Sequence, residues 1–591
     1  MSLVARVVPD VTGVDKVFDY LIPSELHDVI AIGDRVRVPL HGRNVPGWVT
    51  EIGSTADGFT DVDETKLRAV IKRLGFGPST DVVQLAQWAS HRWCGRLRAF
   101  FVAASPSTLV SSLPTARYHR AQVKATGDIE VANAVGESRS MLVQRGPLKS
   151  PVDIMVGAAT HGPSLVIVPT VVRAKLFASA LKRHGFSVAV LPDEWDSAAG
   201  GVDVVIGSRT AVFSRVPHLR SVVVIDEHDD SLREERTPTW HARDVAIERA
   251  RQLNISCILA SALPSVTAKV WAGDRVLKSS EQEASSEWPH IQLIDRTLDD
   301  RWSNSLLSSE FIAELRDHSR RIVAVLNTKG RARLLACASC KSLARCAQCD
   351  AAVEIGADGQ LSCPRCSTQR PQVCTKCSSA KFLTLKPGVS KLREQIAQAA
   401  GRKLGDVVEV TGAGDDAVPV DQSKMLFVGT EAALHRVHEA DTVVFLDVDQ
   451  ELAAPRYRAS EIVGSLLVHA ARLVGRSELG GKVMVQTHSV GSPVLQAMAT
   501  LQIDQYLQSV SEMRAFMKLP PFGALAQLSG TNIDEAISKL QKNVFVHVSA
   551  ANDGSYLVKA SDWQVLADAL SEIEAVKGVT SATSKPVLCC P

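Results

Sequence analysis

Eight of the twelve cysteines fall between residues 337 and 377 in four C-x-x-C pairs: Cys337 with Cys340, Cys346 with Cys349, Cys363 with Cys366, and Cys374 with Cys377. Each pair can place two thiolates on one tetrahedral metal ion, so eight thiolates fill two closed four-cysteine sites, and the expected cofactor is two zinc ions per chain. Cys94, Cys257, Cys589 and Cys590 lie elsewhere. In a reducing compartment such clustering means metal, not disulfides. Spacing does not fix the pairing, but five residues separate the first two pairs and thirteen separate Cys349 from Cys363. The longer gap suits a hairpin. A nested arrangement is therefore favoured, with Cys346, Cys349, Cys363 and Cys366 on one zinc and Cys337, Cys340, Cys374 and Cys377 on the other. Four thiolates leave no open position for catalysis. Bound with an apparent roughly 10–16 kcal/mol each, such ions would supply the folding energy of a segment with almost no apolar core. Redox-active C-x-x-C or iron–sulfur ligation are the alternatives.

A second constellation concerns phosphate. Asp226 and Glu227 follow four apolar residues in VVVIDEH, as do the magnesium-binding and water-activating carboxylates at the end of a Walker-B strand. Their bland reading is a carboxylate pair at a sheet edge. A working phosphate loop is G-x-x-x-x-G-K-[ST], whose glycines let backbone amides approach the phosphates. The candidate here, MLVQRGPLKSP, keeps Lys149 and Ser150 but has Val143 in place of the first glycine and Leu148 before the lysine. Pro151 removes one more amide donor at the helix start. No ATP turnover is expected, and the carboxylates become vestigial or structural.

The elements that must position these groups fall into several units. The 591 residues imply three to five domains. A net charge of +2 with 45% apolar and 22% charged residues fits a globular protein and leaves any nucleic-acid surface to local clustering. The N-terminus lacks a signal-peptide core and the apolar runs are too short to span a membrane, so a cytoplasmic protein without a membrane partner is expected. Residues 1–105 read as a small β-rich domain followed by helical segments, and 106–137 as a linker rich in Ser, Pro, Thr and Gly. Residues 138–290 alternate buried strands with helices, as do 291–336 and 378–495, which predicts two α/β lobes with parallel sheets. The cysteine segment 337–377 is an insertion in the second lobe. Residues 496–591 are expected to form a small α+β C-terminal domain.

KVFDYLIP and DRVRVPL, IGSRTAVF followed by VVVIDEHDDS and WHARDVA, SALPS, VLNTKGRA before the cysteine pairs, and MRAFMKLPPF occur in an order that resembles the PriA replication-restart family over nearly the whole chain. That resemblance implies a 3′-DNA-end-binding domain, two RecA-like helicase lobes, a zinc insertion and a C-terminal domain. It implies partners too: branched or forked DNA with a 3′ end, other primosome proteins, single-stranded-DNA-binding protein and the replicative helicase, met at replication forks on the nucleoid. The family's pocket for a 3′-terminal nucleotide maps onto Phe18, Asp19, Gly42 and Arg68, the last usually Lys. An aromatic face can stack on the terminal base, a carboxylate can accept from the sugar hydroxyl and a cation can meet phosphate; alone, Phe18 reads equally well as a core residue.

The departures from the family concentrate where motion is made. GTEAALHRVHEAD carries His435-Arg436 where the family has Lys-Gly. In HAARLVGR, Leu473 replaces the first arginine of Q-V-A-G-R-A-G-R, leaving Arg476 of the pair that would contact a γ-phosphate. The winged helix of the family is missing or vestigial within the 106–137 linker. The expected function is therefore recognition of stalled or abandoned forks and help in reloading the replicative helicase, without ATPase or helicase activity. An active 3′-to-5′ helicase with a divergent phosphate loop is the alternative, and a zinc-ribbon redox or nucleic-acid-modifying enzyme a weaker third.

Overall fold

Arg35–Leu40 (RVRVPL) buries Val36, Val38 and Leu40 and turns its two arginines outward, the period-2 pattern of a strand with one face covered. Such patterns build a six-stranded sheet ordered Arg68–Ala69, Phe18–Ile22, Leu3–Pro9, Arg43–Ser54, Arg35–Leu40, Lys72–Gly75 in the computed structural model. The chain passing from Arg68 to Gly75 bridges the two edges: the Val70 amide donates to the Leu21 carbonyl and the Ile71 amide to the Arg37 carbonyl, each at 2.9 Å. The sheet so closes around its own core of Val7, Tyr20, Ile22, Val36, Val38 and Val49. The structure describes residues 2–582 apart from 15, 121–122, 124–126, 299–304, 327–334, 341, 349–350, 356–358, 364–367, 385–388, 413–418, 455, 531–532, 552–553 and 574–578.

Helices Thr80–Arg92 and Leu97–Ala104 leave this barrel and insert Val82, Leu85, Phe100 and Phe101 into the core of the first α/β lobe. The next stretch corrects an expectation. Residues 106–137 were expected to be linker, but Ile129–Gly136 is a helix: the Asp128 side chain accepts the Val131 amide at 3.1 Å as an N-cap, and Val131 and Val135 are buried against the lobe. The described residues of 106–128 contain no α-helix, and Val110 and Arg117 bridge Phe76 and Val202 respectively.

Lobe 1 is a parallel seven-stranded sheet ordered Val276–Lys278, Met141–Gln144, Ser256–Ser261, Ser221–Ile225, Ser164–Ile167, Val204–Gly207, Val188–Val190. Every residue of SVVVI at 221–225 is buried, as expected of a central strand covered on both faces by helices. Lobe 2 is a parallel six-stranded sheet ordered His290–Asp295, Lys482–Thr487, Thr442–Asp447, Ile322–Leu326, Leu426–Gly429, Val407–Val410. These are the two parallel α/β units that the alternation of strands and helices predicts.

Lobe 2 runs further than the sequence implied. Helices Pro493–Thr500 and Ile503–Phe516 place Val494, Leu495, Met498, Tyr506 and Leu507 in its core, so residues 496–516 belong with it and not with the C-terminal unit. That unit is the antiparallel sheet Val546–Ala550, Tyr556–Ala560, Ala524–Gly530, Val579–Ala582, backed by helices Ile533–Leu540 and Trp563–Ser571. Among the described residues no helix is long and apolar enough to cross a membrane.

The two lobes share apolar surface. Ala262, Leu263 and Val266 of lobe 1 are buried in the lobe-2 core. Gly464, on helix Ala459–Val474, permits the approach: a Cβ there would stand 2.2 Å from Leu263 Cδ2.

Candidate functional site

The cysteine insertion is small strands and turns. Leu335–Cys337 pairs antiparallel with Phe382–Thr384, with Cys337 opposite Phe382, and this pairing brings the outermost cysteine turns together. The Sγ atoms of Cys337, Cys340, Cys374 and Cys377 all lie within 4.8 Å of one another, with Cys337 to Cys377 and Cys340 to Cys374 at 3.5 Å. Thiolates on one tetrahedral zinc, bonded at roughly 2.3 Å, would stand roughly 3.8 Å apart. The donor set and its size fit a soft, closed metal site. Burial raises the Cys374 thiol, but hydrogen bonds from the Ser342 hydroxyl and the amides of Lys376 and Cys377 outweigh it and bring it down to about 6. The thiolate, the form a metal binds, is thereby favoured at neutral pH.

Of the inner set, Cys346 and Cys363 are buried, whereas Cys349 and Cys366 lie outside the described residues. The two turns are neighbours, because Thr368 Oγ1 donates to Gln348 Oε1 at 3.0 Å. The insertion docks on lobe 2: the Ala352 amide donates to the Ala453 carbonyl at 3.1 Å and Arg345 reaches Ser489 Oγ at 2.5 Å.

The phosphate-loop candidate spans 145–151, between strand Met141–Gln144 and helix Val152–Ala159. Val143 is not in the loop; it is a fully buried residue of the strand. Lys149 Nζ lies 3.4 Å from Glu287 and 3.8 Å from Glu283, and Ser150 Oγ accepts the Val152 amide at 3.3 Å. Beside the loop, Asp226 is 2% exposed and gripped by two arginines. Arg173 Nη1 lies 2.5 Å from its Oδ2, and Arg472 of lobe 2 donates through Nη1 at 2.8 Å and also through Nη2. Burial raises the Asp226 carboxyl, yet the Arg472 and Arg173 guanidinium groups hold it well below the ordinary carboxylate range. Glu227, fully buried, accepts from Arg243 Nη1 at 3.1 Å, the Ser265 amide at 2.7 Å and Ser265 Oγ at 2.8 Å.

The sequence pointed to Arg476 as the surviving arginine, but it is exposed beyond the end of helix Ala459–Val474. Arg472, one residue before Leu473, enters the cleft instead and also donates from Nε to the Pro147 carbonyl at 3.3 Å. Neither Arg472 nor Arg173 was singled out from sequence. More cross-lobe contacts follow along the same helix. His469 Nε2 lies 3.1 Å from Asp229 Oδ2, Arg458 Nη1 lies 3.1 Å from Asp230, and Glu461 accepts the Val266 amide at 3.0 Å. His435, at the position of a family lysine, packs edge-on against His469 with ring centroids 4.7 Å apart.

The third group sits at one end of the barrel. Strand Phe18–Ile22 begins there, and the turn His41–Gly42 closes the hairpin between Arg35–Leu40 and Arg43–Ser54. Strand Arg68–Ala69 begins at the same end, with Arg68 opposite Tyr20. The Tyr20 hydroxyl donates across this mouth to the Pro39 carbonyl at 3.0 Å. Gly42 has a φ of +77° and open space around it, as a two-residue hairpin turn requires. Phe18 is half-buried against the barrel core and Arg68 is exposed. Strand alternation sends Asp19 to the other face, where Arg6 Nε lies 3.7 Å from its Oδ1. The Phe18 and Asp19 side chains therefore do not converge on one point.

Parts of the chain are similar to known proteins. A family model for the PriA 3′DNA-binding domain (3′BD) matches residues 6–106. The "Probable replication restart protein PriA" of Mycobacterium tuberculosis is 27% identical over 578 residues, covering 88% of this chain and 85% of that protein. The "Replication restart protein PriA" of Haemophilus influenzae is 26% identical over 364 residues, covering 56% of this chain and 47% of its own length, so this match spans about half of that relative. Among solved structures, the DUF1998 helicase MrfA bound to DNA and AMPPNP aligns with 72% of this chain and 58% of its own at 11% identity and a TM-score of 0.35.

Proposed function

We propose that the chain is a member of the PriA replication-restart family and acts as a fork-DNA-binding scaffold that does not turn nucleotide over. The observation that carries this reading is the use of the motif carboxylates: Asp226 is neutralised by Arg173 and Arg472, and Glu227 by Arg243. A magnesium ion needs free carboxylate oxygens at this sheet edge, and a cation-bound pair offers it little. Arg472 supplies from lobe 2 the positive charge that nucleotide-bound metal supplies in a working motor, so the lobes close without ligand.

Binding is assigned to the barrel. Its mouth takes a 3′-terminal nucleotide, with Phe18 stacking, Arg68 meeting phosphate and the turn at Gly42 leaving room for the strand; Asp19, beside Arg6 on the other face, does not share this pocket. Two zinc ions hold the insertion, one on Cys337, Cys340, Cys374 and Cys377 and one on Cys346, Cys349, Cys363 and Cys366. The insertion and the C-terminal unit are surfaces for other primosome proteins, single-stranded-DNA-binding protein and the replicative helicase, all met at forks on the nucleoid.

A forked duplex with a free 3′ leading-strand end should bind more tightly than the same fork with that end blocked. Equal affinity for the two would remove the end-binding assignment. A second reading, an active helicase with a divergent loop, draws on Lys149, Ser150, Asp226 and Glu227 still lying along one edge of a parallel sheet.

A further inference from the structure

One carboxylate lies against the candidate phosphate loop. Glu287 is 8% exposed, follows the short helix Glu281–Ser286 and precedes Trp288, whose ring is buried in the lobe-2 core. Its Oε2 accepts the Gly146 amide at 2.7 Å, and its Oε1 lies 3.4 Å from Lys149 Nζ. Ser279 Oγ donates to the same carboxylate at 3.0 and 3.2 Å, and the Leu148 amide donates to the Glu287 carbonyl at 3.2 Å. A Cβ on Gly146 would stand 2.4 Å from the Glu287 Cβ, so the glycine allows this segment to close onto the loop. A loop amide beside a lysine ammonium is the donor set by which phosphate loops hold an anion. A buried carboxylate without such donors would be costly. Each group is the other's partner.

We propose that Glu287 is a built-in occupant of the phosphate loop, an autoinhibitory contact that competes with polyphosphate anions for the Gly146 amide and the Lys149 ammonium. The proposal rests on the reading of the chain as one that does not turn nucleotide over, and it gives the retained Lys149 a role within that reading. Because Trp288 is anchored in lobe 2 while Glu287 sits in the loop of lobe 1, displacement of lobe 2 carries the carboxylate out of the loop.

The test is isothermal titration of the full chain with inorganic triphosphate, comparing wild type, Glu287→Ala, Glu287→Gln and the double variant Glu287→Ala/Lys149→Ala. Glu287→Ala should bind at least tenfold more tightly than wild type, and the double variant should lose the gain. Glu287→Gln, which keeps the shape and an acceptor but not the charge, should fall between. A folded Glu287→Ala chain that binds no better than wild type overturns the proposal, and if that variant does not fold, Glu287→Gln is judged by the same criterion. ATP hydrolysis by wild type would contradict the proposed function, whereas the difference between wild type and the Glu287 variants still decides the occupant.

Discussion

The cysteine cluster and the motif carboxylates are both sets of metal-binding side chains brought together by the fold, yet they differ in what else satisfies them. Around Cys337, Cys340, Cys374 and Cys377 the hydrogen-bonding neighbours among the described residues are other thiols, a serine hydroxyl and backbone amides, and no side-chain cation is among them. Around Asp226 and Glu227 the neighbours are three guanidinium groups. A ligand site is marked by charge that the protein leaves uncompensated, and by that criterion the first set fits a metal while the second is paired within the protein.

The largest effect expected from this contrast is loss of metal. Cys374→Ser, or chelation with a thiol reagent, removes binding energy on the order of 10 kcal/mol, so the insertion between 337 and 384 should become protease-sensitive while the lobes keep their melting transition. Metal analysis and limited proteolysis read this, and an insertion equally resistant without metal breaks the contrast from the first side. Next, Arg243→Ala leaves Glu227 buried without its cation, and truncating one partner of a buried pair costs about 3–5 kcal/mol. Urea unfolding should show that loss; a variant of wild-type stability would mean that the carboxylate is free after all.

An acid titration sharpens the same point. Burial raises the carboxyls of Asp226, Asp229 and Glu461, but their neighbours prevail and hold all three below the usual range: Arg472 and Arg173 for Asp226, His469 and the Ser231 hydroxyl for Asp229, and Arg514 and Arg458 for Glu461. A carboxyl with a depressed folded-state pKa contributes stability that is fully present above its unfolded pKa, about 4, and is lost as pH falls through the folded value. The melting temperature should fall steeply below about pH 4, and Asp226→Asn should flatten that limb. The smallest effect belongs to the barrel. Phe18→Ala should weaken binding of a free-ended fork by about 1–3 kcal/mol, the worth of one stacked base, and leave a blocked fork unchanged in an anisotropy titration.

Much of this was readable in the chain because the signals are local. The C-x-x-C pairs, the alternation in RVRVPL and the solid apolar run before Asp226 each announce an element within a few residues. Helix Ile129–Gly136 was hidden by the Ser, Pro and Thr residues before it, although Asp128 is a regular N-cap. Helices Pro493–Thr500 and Ile503–Phe516 carry an apolar face whose owner, lobe 2, only the tertiary packing identifies. Arg472 carries no sequence signal because it stands one residue before the family's arginine position, while Leu473 occupies that position itself. Nothing in sequence links Glu287 to Gly146 or Arg173 to Asp226, since those meetings depend on how strands and lobes close.

The most direct test of a fork binder without a motor is DNA-stimulated ATP hydrolysis by the full chain, measured on a forked duplex with a free 3′ end alongside its binding affinity. Tight binding that ATP does not alter, with no turnover above background, is the expected result. Turnover that rises with the fork and disappears on Lys149→Ala or Asp226→Asn would contradict it.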